Sequence, residues 1–388
     1  MLPSNILLVL ALFFPLTSAS MRKQHPNIRP AQHMHDRTPI NGIANSNVES
    51  VPIGSATPES SQGKVMVRRK KRGCVAGTAP SVASPTIPPQ SLTVSSASLT
   101  STTATVIGTV STNSTGSLLE RIFPMGTGSA SWTTCTDSSS SLSYSGALNP
   151  LTAGKLPNIA ISPDGHSSLL ANYPSGTFQL SATQGFNFYT EGSKNSVLVE
   201  VAKEVMLSYS VYFQSGFQFN KGGKMPGLYG GTSLTAAKSC SGGRQEGRDD
   251  CFSARLMWRT NGAGEFYNYY PTSITEGGTY CSTPPYSICD TVYGDSIGRG
   301  AFTWPTGAWI TVAQRLKLND VGAANGEQEL FVNGVSVIKL LGLEISMQSS
   351  TKIYGIMAQT FFGGNDATWA SPQDQSAWFK DWSLAVLA

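Results

Sequence analysis

The chain has 388 residues with 39 Gly and 22 Pro, and only 13% of its residues are charged. This composition excludes a coiled coil or a long helical bundle, while a hydrophobic fraction of 40% is enough for a core. Residues 1–72 hold 10 basic and 3 acidic side chains, which leaves 17 basic and 20 acidic ones for the rest. The main body is therefore acidic, and no nucleic-acid partner is expected. It contains one histidine, His166, which excludes a multi-histidine metal site.

The N-terminal residues carry targeting and processing signals. Residues 6–16 form an apolar run of 11, too short to span a bilayer, and small residues follow it. We expect a signal peptide over residues 1–20, no membrane span, and a secreted, extracellular protein, with cell-wall association left open. Residues 21–72 are polar and end in the basic pair Lys71-Arg72, which predicts a pro-segment with a dibasic processing site. A plain solvated basic stretch is the alternative.

The next segment, residues 73–118, is rich in Ser, Thr, Ala and Pro. Such composition in a secreted chain is typical of a linker or N-terminal extension. Asn113-Ser114-Thr115 is the single acceptor sequon and predicts N-glycosylation at Asn113. Thr and Val alternate over residues 92–110, so a strand there stays open.

Six cysteines follow residue 73: Cys74, Cys135, Cys240, Cys251, Cys281 and Cys289. An even number in a secreted chain favours disulfides. The short separations favour Cys240–Cys251 and Cys281–Cys289, and elimination leaves Cys74–Cys135. No CxxC spacing occurs, so we expect no metal site.

Alternation of period two dominates residues 119–388, which we treat as one domain. Residues 205–214, 252–259, 353–362 and 378–387 are predicted strands. Asn333-Gly334 lies between apolar runs within residues 330–341 and predicts a tight hairpin. Many short strands without sustained helical spacing indicate an all-β antiparallel sandwich or jelly roll.

One predicted hairpin, residues 252–271, collects the reactive side chains. If its turn centres on Gly262, Arg255 faces Tyr269, Met257 faces Tyr267 and Arg259 faces Glu265. One face then carries Ser253, Arg255, Arg259, Glu265, Tyr267 and Tyr269. The other face carries Phe252, Leu256, Trp258, Phe266 and Tyr270. A solvated face with an Arg259–Glu265 pair is the alternative, but it explains two tyrosines beside an arginine less well.

Several motifs resemble one enzyme family. Residues 222–231 read Gly-Gly-Lys-Met-Pro-Gly-Leu-Tyr-Gly-Gly, and Ser253-Ala254-Arg255 is followed by Tyr267 and Tyr269, 12 and 14 residues after the arginine. Weaker pieces occur at residues 361–364, at Trp369 and at residues 378–382. Over roughly residues 150–388 the chain resembles polysaccharide lyase family 14 and the related glucuronan lyases.

The resemblance implies a concanavalin-like β-jelly roll and a lyase that cleaves glucuronan or alginate (polymannuronate). It implies an active-site set of Lys224, Ser253, Arg255, Tyr267 and Tyr269. This chain differs by a longer Cys-rich excursion, residues 234–250, between the lysine motif and the Ser-x-Arg strand.

The residue types suit β-elimination from a 4-linked uronate, which removes the C5 proton and expels the O4 leaving group. Cations beside the C6 carboxylate stabilise the enolate-like charge, and Arg255 and Lys224 fit this role. Tyr267 and Tyr269 can divide the base and acid duties, because neighbouring cations favour a phenolate. Which tyrosine does which stays open.

We expect Ser253, Arg259 and an exposed Tyr229 to bind substrate. No cofactor is required by this scheme, although a structural or activating calcium ion stays open. The expected partner is an acidic polysaccharide and the expected state a monomer. A non-catalytic carbohydrate-binding module of the same fold and a cell-wall protein are the alternatives.

Overall fold

Antiparallel strands dominate the described part of the chain. In the computed structural model this part comprises residues 116–151, 156–181, 183–194, 196–275 and 278–388, all in the compact unit Ala97–Ala388. The predicted signal peptide, pro-segment, Asn113 sequon and Cys74 lie outside the described residues, as does nearly all of the predicted linker. No helix among the described residues is long and apolar enough to cross a membrane.

The described residues contain three helices and fourteen strands. The helices are α1 (Leu118–Ile122), α2 (Tyr144–Leu148) and α3 (Leu234–Lys238). The strands are β1 (Ala130–Thr133), β2 (Ile159–Ile161), β3 (Ser167–Tyr173), β4 (Phe186–Glu191), β5 (Glu204–Phe213), β6 (Gly222–Gly231), β7 (Cys251–Arg259), β8 (Ala263–Tyr269), β9 (Asp295–Thr303), β10 (Trp309–Lys317), β11 (Gly326–Val332), β12 (Val335–Leu343), β13 (Lys352–Phe362) and β14 (Gln375–Val386).

These strands form two sheets. The eight-stranded sheet has the order β12-β11-β10-β5-β14-β3-β2, with β1 paired to β14. The six-stranded sheet has the order β4-β13-β6-β7-β8-β9. Neighbouring strands in sequence often lie in different sheets, and every pairing between these strands is antiparallel. This is the predicted all-β jelly-roll sandwich.

The core lies between the sheets and follows the predicted alternation. From β5 the core takes alternate residues of the predicted strand: Val205, Leu207, Tyr209, Val211 and Phe213. From the predicted hairpin the core takes Phe252, Leu256, Trp258, Phe266 and Tyr270. Because successive side chains of a strand alternate in direction, the odd-numbered residues of β7 and β8 point away from the eight-stranded sheet.

The two predicted turns have different outcomes. Asn333 and Gly334 have positive φ angles of 50° and 85° and connect β11 to β12, which confirms that hairpin. In the β7–β8 hairpin the predicted pairing was wrong by two residues. Arg255 faces Tyr267 rather than Tyr269, and Ser253 faces Tyr269.

The physical reason is the position of the turn. Asn261, with φ of 59°, lies in the middle of a turn at Thr260–Gly262, so the hairpin centres one residue earlier than predicted. A shift of two in pairing preserves the alternation, so the predicted polar and apolar faces are both retained.

The disulfides Cys240–Cys251 and Cys281–Cys289 are both present, as predicted. Cys135, in contrast, has no disulfide partner among the described residues, and Cys74 lies outside them, so the Cys74–Cys135 bridge stays a prediction. The Cys135 side chain has no exposed surface and packs with Ile122 and Phe123 from the segment of α1. Burial raises the pKa of the Cys135 thiol to about 11.

Candidate active site

A cavity of about 650 Å³ opens on the face of the six-stranded sheet that points away from the core. Odd-numbered residues of β7, β8 and β13 form its floor, since the even-numbered ones are in the core. Four of the lining residues are cationic: Lys224, Arg255, Arg259 and Arg299. Tyr267, Tyr269 and Trp369 line the same cavity. The four predicted catalytic residues are thus brought together.

Lys224 projects from β6 into this cavity. Its Nζ lies 3.9 Å from the centroid of the Tyr267 ring and 3.3 Å from Met257 Sδ. Burial, followed by repulsion from the Arg259 and Arg255 guanidiniums, lowers the pKa of Lys224 well below its usual range. The neighbouring Gly363 leaves room for this ammonium, because a Cβ there would lie 3.3 Å from Nζ.

Arg255, on β7, is 2% exposed and has an uncommitted donor. One terminal nitrogen donates to Gln359 Oε1 at 2.9 Å, and Gln359 Nε2 donates in turn to Asn187 Oδ1 at 2.7 Å. Its Nε is buried without a partner among the described residues. An unpaired buried donor on a guanidinium is costly unless an acceptor arrives. The arrangement therefore suits an anionic ligand at Arg255.

Tyr267 and Tyr269, on β8, each accept a hydrogen bond from a glycine of a neighbouring loop. Gly294 N–H donates to the Tyr267 hydroxyl oxygen at 3.2 Å, and Gly243 N–H donates to that of Tyr269 at 2.9 Å. The two rings meet edge to face at 5.8 Å. Burial, followed by the charge of Tyr269, raises the pKa of Tyr267, against a smaller lowering by Arg255.

A second group of cations surrounds Glu265, whose side chain is fully buried. Arg259 Nε donates to Glu265 Oε1 at 2.6 Å and Arg299 Nε donates to Oε2 at 2.7 Å. Ser296 Oγ donates to the same Oε2. The Arg259–Glu265 pair predicted from sequence therefore exists, although the two residues are diagonal rather than directly opposed.

Two predicted substrate-binding residues do not reach the cavity. Ser253 is buried, and its hydroxyl donates to the Cys240 carbonyl at 2.7 Å, so it holds the Cys-rich excursion. Tyr229 was expected to be exposed, and that was wrong. It has no exposed surface, because Ala237 of α3 and Tyr189 of β4 pack over it.

The Cys-rich excursion ends in an arginine that sequence reasoning did not identify. Arg248 is 1% exposed, donates to Asp295 Oδ2 at 3.2 Å, and lies 5.2 Å from the centroid of the Tyr269 ring. Gln245 of the same excursion donates to the Tyr293 carbonyl at 2.9 Å. These contacts fasten the excursion to the residues around Gly294, so the two glycine donors belong to one connected structure.

Gln359, Arg299 and the two glycine donors were also missed. Alternation could have found Gln359, because it shares a face of β13 with the motif residue Phe361. No local signal marks Gly243 or Gly294, since their role depends on the packing of loops onto β8. The described residues contain no group of three or more His, Cys, Asp or Glu side chains that could hold a metal ion.

Comparison with known proteins finds a polysaccharide lyase family and solved structures of lyases. A family profile, Polysaccharide lyase 14, matches residues 162–382, which is more than half of the chain. The crystal structure of the marine PL-14 alginate lyase from Aplysia kurodai is 29% identical, with a TM-score of 0.53, and the match covers 59% of this chain and 86% of that one. No curated protein sequence matches significantly.

Two further solved structures are more distant. Alginate lyase vAL-1 from Chlorella virus is 22% identical with a TM-score of 0.47, over 59% of this chain and 89% of that one. The endo-beta-1,4-glucuronan lyase from the fungus Trichoderma reesei is 11% identical with a TM-score of 0.36, over 60% and 85%. The family profile, which spans the strands that carry Lys224, Arg255 and both tyrosines, decides the assignment. This chain belongs to polysaccharide lyase family 14.

Proposed function

We propose that the protein cleaves an acidic 4-linked polyuronate, glucuronan or alginate, by β-elimination. The observation that carries this proposal is Arg255, whose buried Nε has no partner and whose guanidinium lies 5.6 Å and 5.8 Å from the ring centroids of Tyr267 and Tyr269. A uronate carboxylate is the anion that such a donor fits. The similar Aplysia enzyme is described as an alginate lyase, which supports the same substrate class.

In this scheme the C6 carboxylate of the reacting sugar binds Arg255 and Lys224. Their charge stabilises the negative charge that develops as the C5 proton leaves. Gln359 holds the Arg255 guanidinium in place through the bond of 2.9 Å. The ammonium of Lys224 acts as a point charge, and binding of a carboxylate favours its protonated form.

The tyrosines then carry the protons. Tyr267 has a raised pKa and stays protonated, so we assign to it the donation of a proton to O4. Tyr269 is then the base: as the phenolate it takes the C5 proton, and the Gly243 N–H donates to its oxygen. The C5–H and C4–O4 bonds break and a C4=C5 double bond forms. A proton passing from Tyr269 to Tyr267 restores the starting state.

The test is the ultraviolet absorbance of the unsaturated product. The protein is incubated separately with glucuronan, polymannuronate, polyguluronate and pectate. A rise on one polymer identifies the substrate. A flat trace on all four, with retarded migration in a polymer-containing gel, would instead indicate a carbohydrate-binding module, and a flat trace without retardation would contradict both functions.

We also propose that the protein is secreted and cut after Arg72. The two disulfides fit an oxidising compartment, and the Lys71-Arg72 pair follows an apolar leader. N-terminal sequencing of secreted protein should begin at Gly73. A mature form that retains residue 60 would contradict the processing step.

For the active form we propose a monomer that needs no cofactor, with a calcium requirement still open. Addition of a chelator should leave the initial rate unchanged. Loss of activity with EDTA, restored by calcium, would show that calcium is needed. Size-exclusion chromatography with light scattering should give the monomer mass, and a dimer mass would contradict that expectation.

A further inference from the structure

We propose that Arg259 and Arg299 form a second carboxylate-binding subsite beside the catalytic one. This second subsite binds the carboxylate of the uronate next to the reacting sugar. The inference rests on the proposed function and deepens it. It makes the preferred substrate a run of successive uronates rather than a polymer in which uronates alternate with neutral sugars.

The buried carboxylate of Glu265 holds two arginines of the cavity, Arg259 and Arg299. Glu265 accepts one bond from each arginine, and each of those bonds comes from Nε. Arg299 gives one terminal nitrogen to Ser296 Oγ at 2.7 Å. Both terminal nitrogens of Arg259 and one of Arg299 have no acceptor among the described residues. Two guanidiniums are thus fixed by one carboxylate and keep donors directed to the cavity that both line.

The lining of the cavity carries more positive than negative charge. Two guanidiniums around one carboxylate leave an excess positive charge, and Arg255 adds a third guanidinium to the cavity. Asp290 is the one acidic residue among its described lining residues, and its Oδ1 already accepts from the backbone N–H groups of Val292 and Tyr293. Burial, followed by repulsion from Arg259 and Arg255, lowers the pKa of Lys224, and the repulsion comes from these same guanidiniums. A single carboxylate does not neutralise such a group.

Arg259 also lies close to the proposed catalytic residues. Arg255 and Arg259 lie on the same face of β7, and their guanidiniums are 5.6 Å and 5.8 Å from the centroid of the Tyr267 ring. Both guanidiniums therefore lie beside the phenol to which we assign the proton for O4. The Trp369 ring lies 6.0 Å from the Arg259 guanidinium and offers an apolar surface on which a sugar can stack.

The experiment uses a polyuronate that the enzyme cleaves, with its carboxyl groups reduced at random to neutral hydroxymethyl groups in increasing proportion. If only the reacting sugar must be a uronate, kcat/KM falls in proportion to the remaining uronate fraction. If the neighbouring sugar must also be a uronate, kcat/KM falls with the square of that fraction. For the unaltered enzyme we expect kcat/KM to fall with the square of the uronate fraction.

The variants Arg299→Gln and Arg259→Gln assign the effect to the subsite. Each should raise KM on the unreduced polymer and shift the dependence from the square towards proportionality. Lys317→Gln is the matched control, because it removes one positive charge from β10 in the other sheet. Its kcat/KM should still fall with the square of the uronate fraction. Since either arginine variant leaves Glu265 with one partner, thermal unfolding of each is measured alongside.

Proportionality in the unaltered enzyme would overturn the subsite, and so would a square dependence that both arginine variants retain. Either result leaves the proposed function intact, because the unreduced polymer is still cleaved. Failure to cleave any unreduced polyuronate would overturn the proposed function itself, and the subsite with it.

Discussion

At the scale of single residues, the site consists of cations held close to phenols. Lys224 and Arg255 lie against Tyr267, and neither forms an ion pair among the described residues, whereas Arg259 and Arg299 are held by Glu265. The first pair is available to an incoming anion at the reacting sugar. The second pair is held by Glu265, and only some of its terminal N–H groups are left to bind a ligand. This difference separates the two roles that we assign to the cations.

Replacement of Tyr267 by Phe should reduce kcat by about 10²–10⁴-fold, because the variant lacks the hydroxyl that gives its proton to O4. The ring stays, so its contact with Lys224 and polymer binding should persist. Initial rates from product absorbance and gel retardation measure the two effects. Tyr354→Phe, which alters a half-buried tyrosine outside the cavity, is the control and should stay active. Full activity of Tyr267→Phe would remove this residue from the mechanism.

The lowered pKa of Lys224 predicts proton uptake on substrate binding. In the free enzyme, burial and the arginines favour the neutral amine, and a bound carboxylate favours the ammonium. At a pH between the free and bound pKa values, binding therefore takes up a proton. Above both values the amine stays neutral, so affinity should fall as pH rises through this window.

Calorimetric titration of polymer in two buffers of different ionisation enthalpy measures this uptake. The Tyr267→Phe background prevents turnover during the titration, and Lys224→Met in that background should abolish the uptake. Equal uptake with and without Lys224 would show that another group is responsible.

At the scale of elements, a disulfide-closed loop and the segment that follows a second disulfide complete a site whose floor is a sheet. The excursion closed by Cys240–Cys251 supplies Gly243 N–H to Tyr269, and the residues after Cys289 supply Gly294 N–H to Tyr267. Arg248 joins the excursion to Asp295, next to Gly294. The orientation of both tyrosines therefore depends on segments outside the strand that carries them.

Replacing Cys240 and Cys251 by serine should lower stability by about 3 kcal/mol, because the bridge closes a short loop of the unfolded chain. We also expect kcat to fall more than KM changes, since Tyr269 loses a fixed Gly243 donor. Denaturant titration and steady-state rates measure the two quantities. The matched control replaces Cys281 and Cys289, which should cost similar stability but keep both glycine contacts, because Gly294 lies outside the loop that this bridge closes. Equal kcat losses in both variants would indicate only a general loosening.

At the scale of the whole molecule, the sandwich separates its core from its chemistry. Phe252, Leu256 and Trp258 fill the space between the sheets, while Arg255 and Arg259 of the same strand line the cavity. The eight-stranded sheet also has a covered outer region, where the segment of α1 packs with Cys135 and Met206. Residues 117–135 are thus part of the folded domain and bury side chains against it.

The enclosed Cys135 thiol should not react with a thiol reagent in the native protein. Burial removes access and raises its pKa to about 11, so little thiolate exists at neutral pH. Unfolding without a reductant should expose it to labelling, which mass spectrometry of the peptide detects. If Cys135 stays unlabelled until a reductant is added, the predicted bridge to Cys74 forms after all.

The sequence predicted which side chains share a face of the hairpin, but not which residues pair across it. Alternation placed Arg255, Tyr267 and Tyr269 on one side of a hairpin correctly, because side-chain direction in a strand is a local property. The pairing was wrong by two residues, because it depended on whether Asn261 or Gly262 occupies the centre of the turn. Both residues tolerate positive φ, so composition alone does not decide between them.

By itself the sequence determined the all-β class, the two short-range disulfides, and four side chains whose types suit elimination at a uronate. These follow from periodicity, from short separations along the chain, and from the resemblance of its motifs to those of a known family. The tertiary structure alone decided that Tyr229 is covered, that Ser253 holds a loop, and that Gln359, Arg299 and two glycine N–H groups complete the site. Such contacts join residues far apart in the chain, and their partners are set by how loops pack onto a sheet, which no local pattern encodes.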